Sequence, residues 1–213
     1  MTQGPSGQPE REEAEILYRE HLRTTAAVAA QTASESAETV AKMAAALIAT
    51  LRAGGKVMLC GNGGSAAQAQ HLAAELVGRY LRERRPLPAI SLATDTSTLT
   101  AIANDYRFDE IFSHQIEALA VDGDVLIALS TSGTSADVVM AAQTARAKNV
   151  TVLALTGQSG GELVKHADLA LLVPSVTTPI IQEIHLAVGH VLCDLIERAL
   201  VAAPETFGVA RKI

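Results

Sequence analysis

The sequence predicts an α/β fold: one domain with a five-stranded parallel sheet between helices, an αβα sandwich, preceded by extra N-terminal helices. Three observations carry this. Five short apolar runs alternate with helical stretches. Each run is apolar throughout rather than at every second residue, as strands covered on both faces require. And the 213 residues suit a single domain in which 48% of positions are hydrophobic but only 3% aromatic, so Ala, Leu and Val must fill the core, which favours helices packed closely on a sheet.

The elements follow in order. Residues 1–11 are polar and rich in Gly, Pro and Gln, and read as a disordered lead-in with no apolar segment of signal-peptide type. The domain proper is expected over 12–203, with a helical arm at 12–52 and a tail at 204–213. The arm is Ala-rich, free of Gly and Pro, and reads as one long helix or two, with room for a break at Thr32–Ser36. Two helices before the first strand exceed what a minimal α/β domain needs, which makes them candidates for a subunit interface. KVMLC (56–60) is the first strand, and the helix after it runs from Gly64 to Tyr80. PAISLAT (88–94) is the second strand, followed by helices at 96–104 and 109–120. DVLIALS (124–130) and VTVLALT (150–156) are the third and fourth strands, separated by a helix at 136–148. After a short helix ending near His166 comes the fifth strand, DLALLVP (168–174). A last helix begins at Pro179, a natural first-turn residue, and ends near Ala202.

Composition narrows the function. A formal net charge of −6 argues against broad nucleic-acid binding, which needs a basic face. No apolar run reaches the length of a membrane span. Cys60 and Cys193 are far apart with no CxxC, and read as reduced, buried thiols of a cytosolic protein.

Two loops stand at strand ends and open into helices: GNGGS (61–65) and STSGTS (130–135). Small residues let backbone N–H groups approach an anion, and the helix behind adds its positive end. Gly and Ser also simply make turns and N-caps, but two such loops at the carboxyl ends of strands in one small sheet favour phosphate binding. Neither carries Lys, so the ATP-type P-loop is absent. A dinucleotide site would want an acid about twenty positions on, whereas Asp95 comes some thirty on. A lysine-free, hydroxyl-rich pocket fits a sugar phosphate better than a nucleotide.

His71 and Glu75 stand at i and i+4 on one face of the helix after the first loop, either as a surface ion pair or as half of a metal or proton-transfer site. The last helix carries Gln182, Glu183, His185 and His190 among apolar neighbours. Gln182 and His185 share a face, as do Glu183 and His190. The alternative for these histidines is a ring bonded to a carbonyl in the core.

These residues carry a resemblance. CGNGGS with the H-x-x-x-E after it, AELVGRY, AIANDYRFDEIF, STSGTS, LTGQSGGEL and QEIHLAVGH resemble the phosphoheptose isomerase family, sugar isomerase (SIS) domain enzymes acting on D-sedoheptulose 7-phosphate. The likeness spans roughly Arg19 to Arg198 in dispersed, ordered motifs. It implies isomerisation to D-glycero-D-manno-heptose 7-phosphate through an enediolate, the first step of nucleotide-heptose synthesis. It implies Glu75 as the base and His190 as its acid/base partner. It implies substrate contacts from Asn62, Gly63, Gly64, Ser65, Glu75, Asn104, Asp105, Ser130, Thr131, Ser132, Ser135 and Gln182. It implies zinc, one ion per subunit, on His71, Glu75, Gln182 and His190. And it implies a cytoplasmic homotetramer with N-terminal helices at its core and active sites between subunits. Spacing alone does not propose the metal site: Gln182 and His190 are eight residues apart, about 12 Å along an ideal helix, so they meet at one ion only through a bent helix, converging side chains or a second subunit.

A second SIS-domain group, regulators that associate with the replication initiator DnaA, is also similar, notably at LATDTSTLTAIAND (92–105). Their counterparts of Glu75 and His190 are generally replaced, and this chain keeps both. It departs from the isomerase pattern at SVTTPI (175–180), one residue short before Gln182, where relatives often carry Asp-Arg. That bears on the loop closing over the sugar.

Overall fold

The computed structural model describes residues 8–201. The expected lead-in lies mostly outside these residues, and its described part, 8–11, is helix rather than coil. The expected tail at 204–213 lies wholly outside.

Helix α1, Gln8–Arg52, is unbroken over 45 residues. The break at Thr32–Ser36 does not occur: Thr32 and Ser36 are buried, and Thr32 Oγ1 is accommodated within the helix by donating to Val28 O at 2.8 Å. The elements then run β1 (Val57–Gly61), α2 (Gly64–Val77), β2 (Ala89–Ser91), α3 (Thr96–Asp105), a 3₁₀ turn at Phe108–Glu110, α4 (Ser113–Leu119), β3 (Val125–Ser130), α5 (Ala136–Ala147), β4 (Thr151–Gly157), a 3₁₀ turn at Leu163–His166, β5 (Leu169–Val173) and α6 (Thr178–Val201). All five expected strands are present.

Three boundaries differ from expectation, each for a local reason. β2 is only three residues long because after Ser91 the chain turns, with Thr94 Oγ1 donating to Ser91 O at 2.8 Å. The helix expected over 109–120 is divided into the 3₁₀ turn and α4. And α2 stops at Val77 rather than Tyr80, because the N–H groups of Tyr80, Leu81 and Arg82 donate instead to the Glu197 carboxylate at 2.8, 2.9 and 2.9 Å.

The sheet is parallel throughout, in the order β2-β1-β3-β4-β5. Val57, Leu59, Val125, Ile127, Leu153 and Leu155 pack on α1, α2 and α6. Met58, Cys60, Leu126, Ala128, Val152 and Ala154 face α4 and α5. Alternate residues of each strand therefore feed two separate cores, which is why the strands read as continuous apolar runs. Both cysteines are free and buried, and burial pushes the Cys193 thiol up to about 12. The strand order reverses between β1 and β3, and in open α/β sheets such a switch point leaves a crevice beyond the strands' carboxyl ends. Both Gly-Ser loops border that crevice.

At 1.5 Å per residue α1 is about 67 Å long, against about 36 Å for α6. Its C-terminal half buries Met43, Leu47 and Leu51, while Ile16, Leu17, Tyr18 and Leu22 nearer its start are 48–66% exposed. Between α1 and α6 runs an apolar groove of about 390 Å³, lined by Ala29, Ala33, Ala37, Val188, Val191 and Leu195 among others.

Candidate active site

The first loop turns at Gly63, whose φ of 52° suits Gly, and Ser65 N donates to Asn62 O at 2.9 Å. Ser65 is buried. The Gln182 amide lies over this loop: Nε2 stands 3.5 Å from Ser65 Oγ, and a Cβ on Gly64 would come within 2.6 Å of Gln182 Oε1. Gln68 Nε2 donates to Gln182 O at 2.5 Å, tying α2 to the start of α6. Asn62 Nδ2 donates to Asp137 Oδ1 at 3.0 Å.

The second loop is folded on itself. Ser130 Oγ and Ser135 Oγ are 3.1 Å apart, and Gly133 N donates to Ser130 Oγ at 3.1 Å. Thr131 is partly buried and Ser132 exposed. Gly133 has a φ of 67°, and a Cβ there would sit 2.0 Å from Gly160 O, so only Gly lets the loop nest against the loop after β4. Behind it α5 offers the N–H groups of its first turn. Asn104 and Asp105, at the end of α3, are exposed and bonded to each other at 2.8 Å. No hydrogen bond joins their side chains to either loop among the described residues.

A second cluster lies further along α2 and α6. Helices α2 and α6 run side by side in the same direction, and Gly189 lets them close up: a Cβ there would strike the Leu72 side chain at 2.6 Å. His71 Nε2 meets His190 Nε2 at 2.8 Å, so one ring donates and the other accepts. Glu75 Oε1 lies 3.5 Å from His71 Nε2, with the Glu75 side chain 21% exposed and that of His71 44%. Tyr80 stacks on His190, with ring centroids 5.4 Å apart and planes 17° from parallel. The Tyr80 backbone is held by Glu197, which is fully buried and paired with Arg84 at 3.1 Å.

The structure thus gathers His71, Glu75 and His190 in one place and Asn62, Gly63, Gly64, Ser65 and Gln182 in another, next to the loop of Ser130, Thr131, Ser132 and Ser135. Gln182 belongs to the loops, two turns from His190. Among the described residues no three His, Cys, Asp or Glu side chains form a ready-made cation site. The remaining polar groups of α6 are structural. Glu183 accepts from His21 Nε2 at 2.6 Å and Thr25 Oγ1 at 2.7 Å on α1. His185 is fully buried and donates through Nε2 to Thr156 O at 3.1 Å, and burial lowers its pKa to about 4, so it is the neutral core histidine that was one of the two alternatives.

Sequence reasoning missed Asp137, Tyr80 and Glu197. An acid in the first turn of a helix reads as ordinary dipole pairing, and nothing local announces that Asp137 bonds a loop 75 positions earlier. Tyr80 stood within the AELVGRY motif, but its stacking on His190 depends on Glu197, more than a hundred positions away.

A family model for the SIS domain matches residues 20–157. The phosphoheptose isomerase of Rhodospirillum rubrum is 60% identical over 166 residues, covering 78% of this chain and 88% of that one. The phosphoheptose isomerase of Roseiflexus sp. is 52% identical over 170 residues, covering 80% and 86%. Among solved structures, a phosphoheptose isomerase from Neisseria gonorrhoeae superposes with a TM-score of 0.83 at 40% identity, covering 87% of this chain and 99% of that one. One from Francisella tularensis gives 0.84 at 37% identity, covering 87% and 98%.

Proposed function

The chain belongs to the phosphoheptose isomerase family of SIS-domain proteins, and from that premise we propose that it interconverts D-sedoheptulose 7-phosphate and D-glycero-D-manno-heptose 7-phosphate by proton transfer through an enediolate. It is an isomerase. The observation that carries the mechanism is the cluster of one partly buried carboxylate and two imidazoles at Glu75, His71 and His190. A regulator that only docks on DnaA has no use for such a cluster.

The loops at the switch point hold the ligand. The second loop and the α5 N-terminus take the phosphate, an anchor remote from the reacting carbons. Asn62, Ser65, Gln182, Asn104 and Asp105 take the sugar hydroxyls. Glu75 removes the proton from C1 of the ketose and returns it to C2, a general-base contribution of about 10²–10⁴-fold. His190 moves a proton to and from the sugar oxygens, its ring held between Tyr80 and His71.

Zinc, one ion per subunit, belongs to this proposal. The His71 and His190 imidazole nitrogens, 2.8 Å apart, and a Glu75 carboxylate oxygen 3.5 Å from His71 Nε2 are donor types that suit it; the Gln182 amide oxygen, held two turns away at Ser65, would join them only from another subunit. When bound, the ion would polarise the carbonyl and stabilise the developing oxyanion. A carboxylate that binds a cation is less basic, so the two roles of Glu75 compete.

Within one chain Glu75 stands eleven residues beyond Gly64, about 16 Å along α2, a long gap for a seven-carbon sugar phosphate. Sites shared between subunits of a homotetramer remove the gap, with the carboxylate cluster of one copy beside the loops of another. The long α1, its exposed Ile16, Leu17, Tyr18 and Leu22 and the apolar α1/α6 groove support that assembly. No helix among the described residues is long and apolar enough to cross a membrane; a cytoplasmic location is part of this proposal, supported by the two free thiols.

The test is conversion of sedoheptulose 7-phosphate by the purified protein and its Glu75→Gln variant. Turnover by the wild type, with the variant binding substrate but not converting it, supports the assignment. Wild-type turnover in the variant removes Glu75 as the base.

A further inference from the structure

Asp137 lies where the two ligand loops meet. It is the second residue of α5, directly behind the second loop, and it accepts the Asn62 Nδ2 bond at 3.0 Å from the first. It therefore spans the switch-point crevice between the segments that follow β1 and β3. It is 3% exposed, and its Oδ2 has no hydrogen-bond partner among the described residues. Burying a carboxylate with one oxygen unpaired costs stability. A helix start alone does not call for that: Asp95 serves α3 from an exposed position, accepting from Thr98 N at 3.1 Å. Consistent with the cost, burial holds the Asp137 carboxyl above the usual carboxylate range, against the opposing pull of the Asn62 bond.

We infer that Asp137 is a positioning residue for sugar recognition: by taking the Asn62 amide N–H it fixes that side chain's orientation and leaves Asn62 Oδ1 as a dedicated acceptor for a hydroxyl of the substrate. The chemistry is one-sided. An amide has a donor end and an acceptor end, and a carboxylate accepts only the first. Asn62 then reads a hydroxyl donor on the sugar and contributes nothing to the phosphate. Without Asp137 the amide turns freely, and half of its orientations present N–H where an acceptor is needed.

This rests on the proposed binding role of Asn62, so the experiment reads binding as well as turnover. The dissociation constant of sedoheptulose 7-phosphate is measured by calorimetry beside KM and kcat for wild type, Asp137→Ala, Asp137→Asn, Asn62→Ala and the Asn62→Ala/Asp137→Ala double variant. Inorganic phosphate serves as a competing probe. Asp137→Ala is expected to weaken sugar binding about tenfold, the worth of one hydrogen bond. Asp137→Asn, which keeps an acceptor oxygen but adds a donor end, restores it only in part. Asp137→Ala adds nothing once Asn62 is gone, and phosphate inhibits the Asp137 variants as well as it does wild type. Should Asp137→Ala not fold, Asp137→Ser, too short to reach Asn62, takes its place. Unchanged sugar affinity in the folded variant, an equal loss in the Asn62→Ala background, or a parallel loss of phosphate affinity overturns the inference. A wild type that binds the sugar phosphate without converting it defeats the isomerase reading and leaves these binding arms intact. A wild type that does not bind it defeats both.

Discussion

Replacing Glu197 with Ala should destabilise the protein by about 3–5 kcal/mol and slow catalysis as well. Glu197 is fully buried. Its two oxygens take the backbone N–H of Tyr80, Leu81 and Arg82 and pair with the buried Arg84 at 3.1 Å. Removing one partner of a buried ion pair leaves an uncompensated charge, which sets that range. Three stranded amide donors push it to the upper end. At about 2–4 °C per kcal/mol for a chain of this size, Tm falls by about 10 °C or more. Glu197→Gln keeps an acceptor and loses the charge, so its cost is smaller, about 1–3 kcal/mol. The pH dependence gives a second handle. The hydrogen bonds and Arg84 hold the Glu197 carboxyl below the usual glutamate range, overcoming the opposing effect of burial. Its stabilisation is therefore fully present above the unfolded-state value, near 4.3, and is lost as pH falls through the lower folded-state value. Urea unfolding at pH 7 and at pH 4 and below measures the difference between wild type and Glu197→Gln, which should shrink at the acid end. Since the same carboxylate places Tyr80 against His190, kcat of folded Glu197→Ala should fall too. A loss of stability under about 1 kcal/mol, or a wild-type kcat, would refute this account of the loop.

Tyr80→Ala should lower kcat about tenfold by freeing the His190 ring, while Tyr80→Phe, which keeps the stack, stays near wild type. Steady-state kinetics on the pair decides it. A chelator should remove both turnover and a stoichiometric zinc measured by mass spectrometry, and zinc should restore turnover; full activity in metal-free protein would take the ion out of the mechanism. If the proposed tetramer forms through the apolar α1/α6 groove, Ala33→Glu, placing a charge there, should lower the size seen on size-exclusion chromatography and abolish activity; an unchanged size and activity would refute that interface.

The fold was legible because its determinants are local. Val57–Gly61, Val125–Ser130 and Thr151–Gly157 are buried on both faces, so their apolar character shows without an alternating pattern, and Gly and Ser mark the turns that follow. What stayed hidden depends on distant partners. The end of α2 at Val77 is set by Glu197, and no helix propensity near Tyr80 reveals it. Around the possible break in α1, Thr32 and Ser36 are buried and the Thr32 hydroxyl bonds backward within the helix, which a propensity reading does not see. For the candidate site, the His71/Glu75 spacing was visible, and so was the difficulty of joining Gln182 to His190. The structure keeps that pair apart, one at Ser65 and the other at His71. Asp137 was invisible for a different reason: its role is defined by Asn62, and only the fold brings the two loops together.

The central claim is that the Glu75 carboxylate carries the proton between the two reacting carbons. Turnover of sedoheptulose 7-phosphate in D₂O, followed by NMR, tests it most directly. The account predicts deuterium entering at C2 of the aldose and C1 of the ketose with wild-type protein, and neither label with Glu75→Gln although substrate still binds. Deuterium entering at the wild-type rate with Glu75→Gln would contradict it.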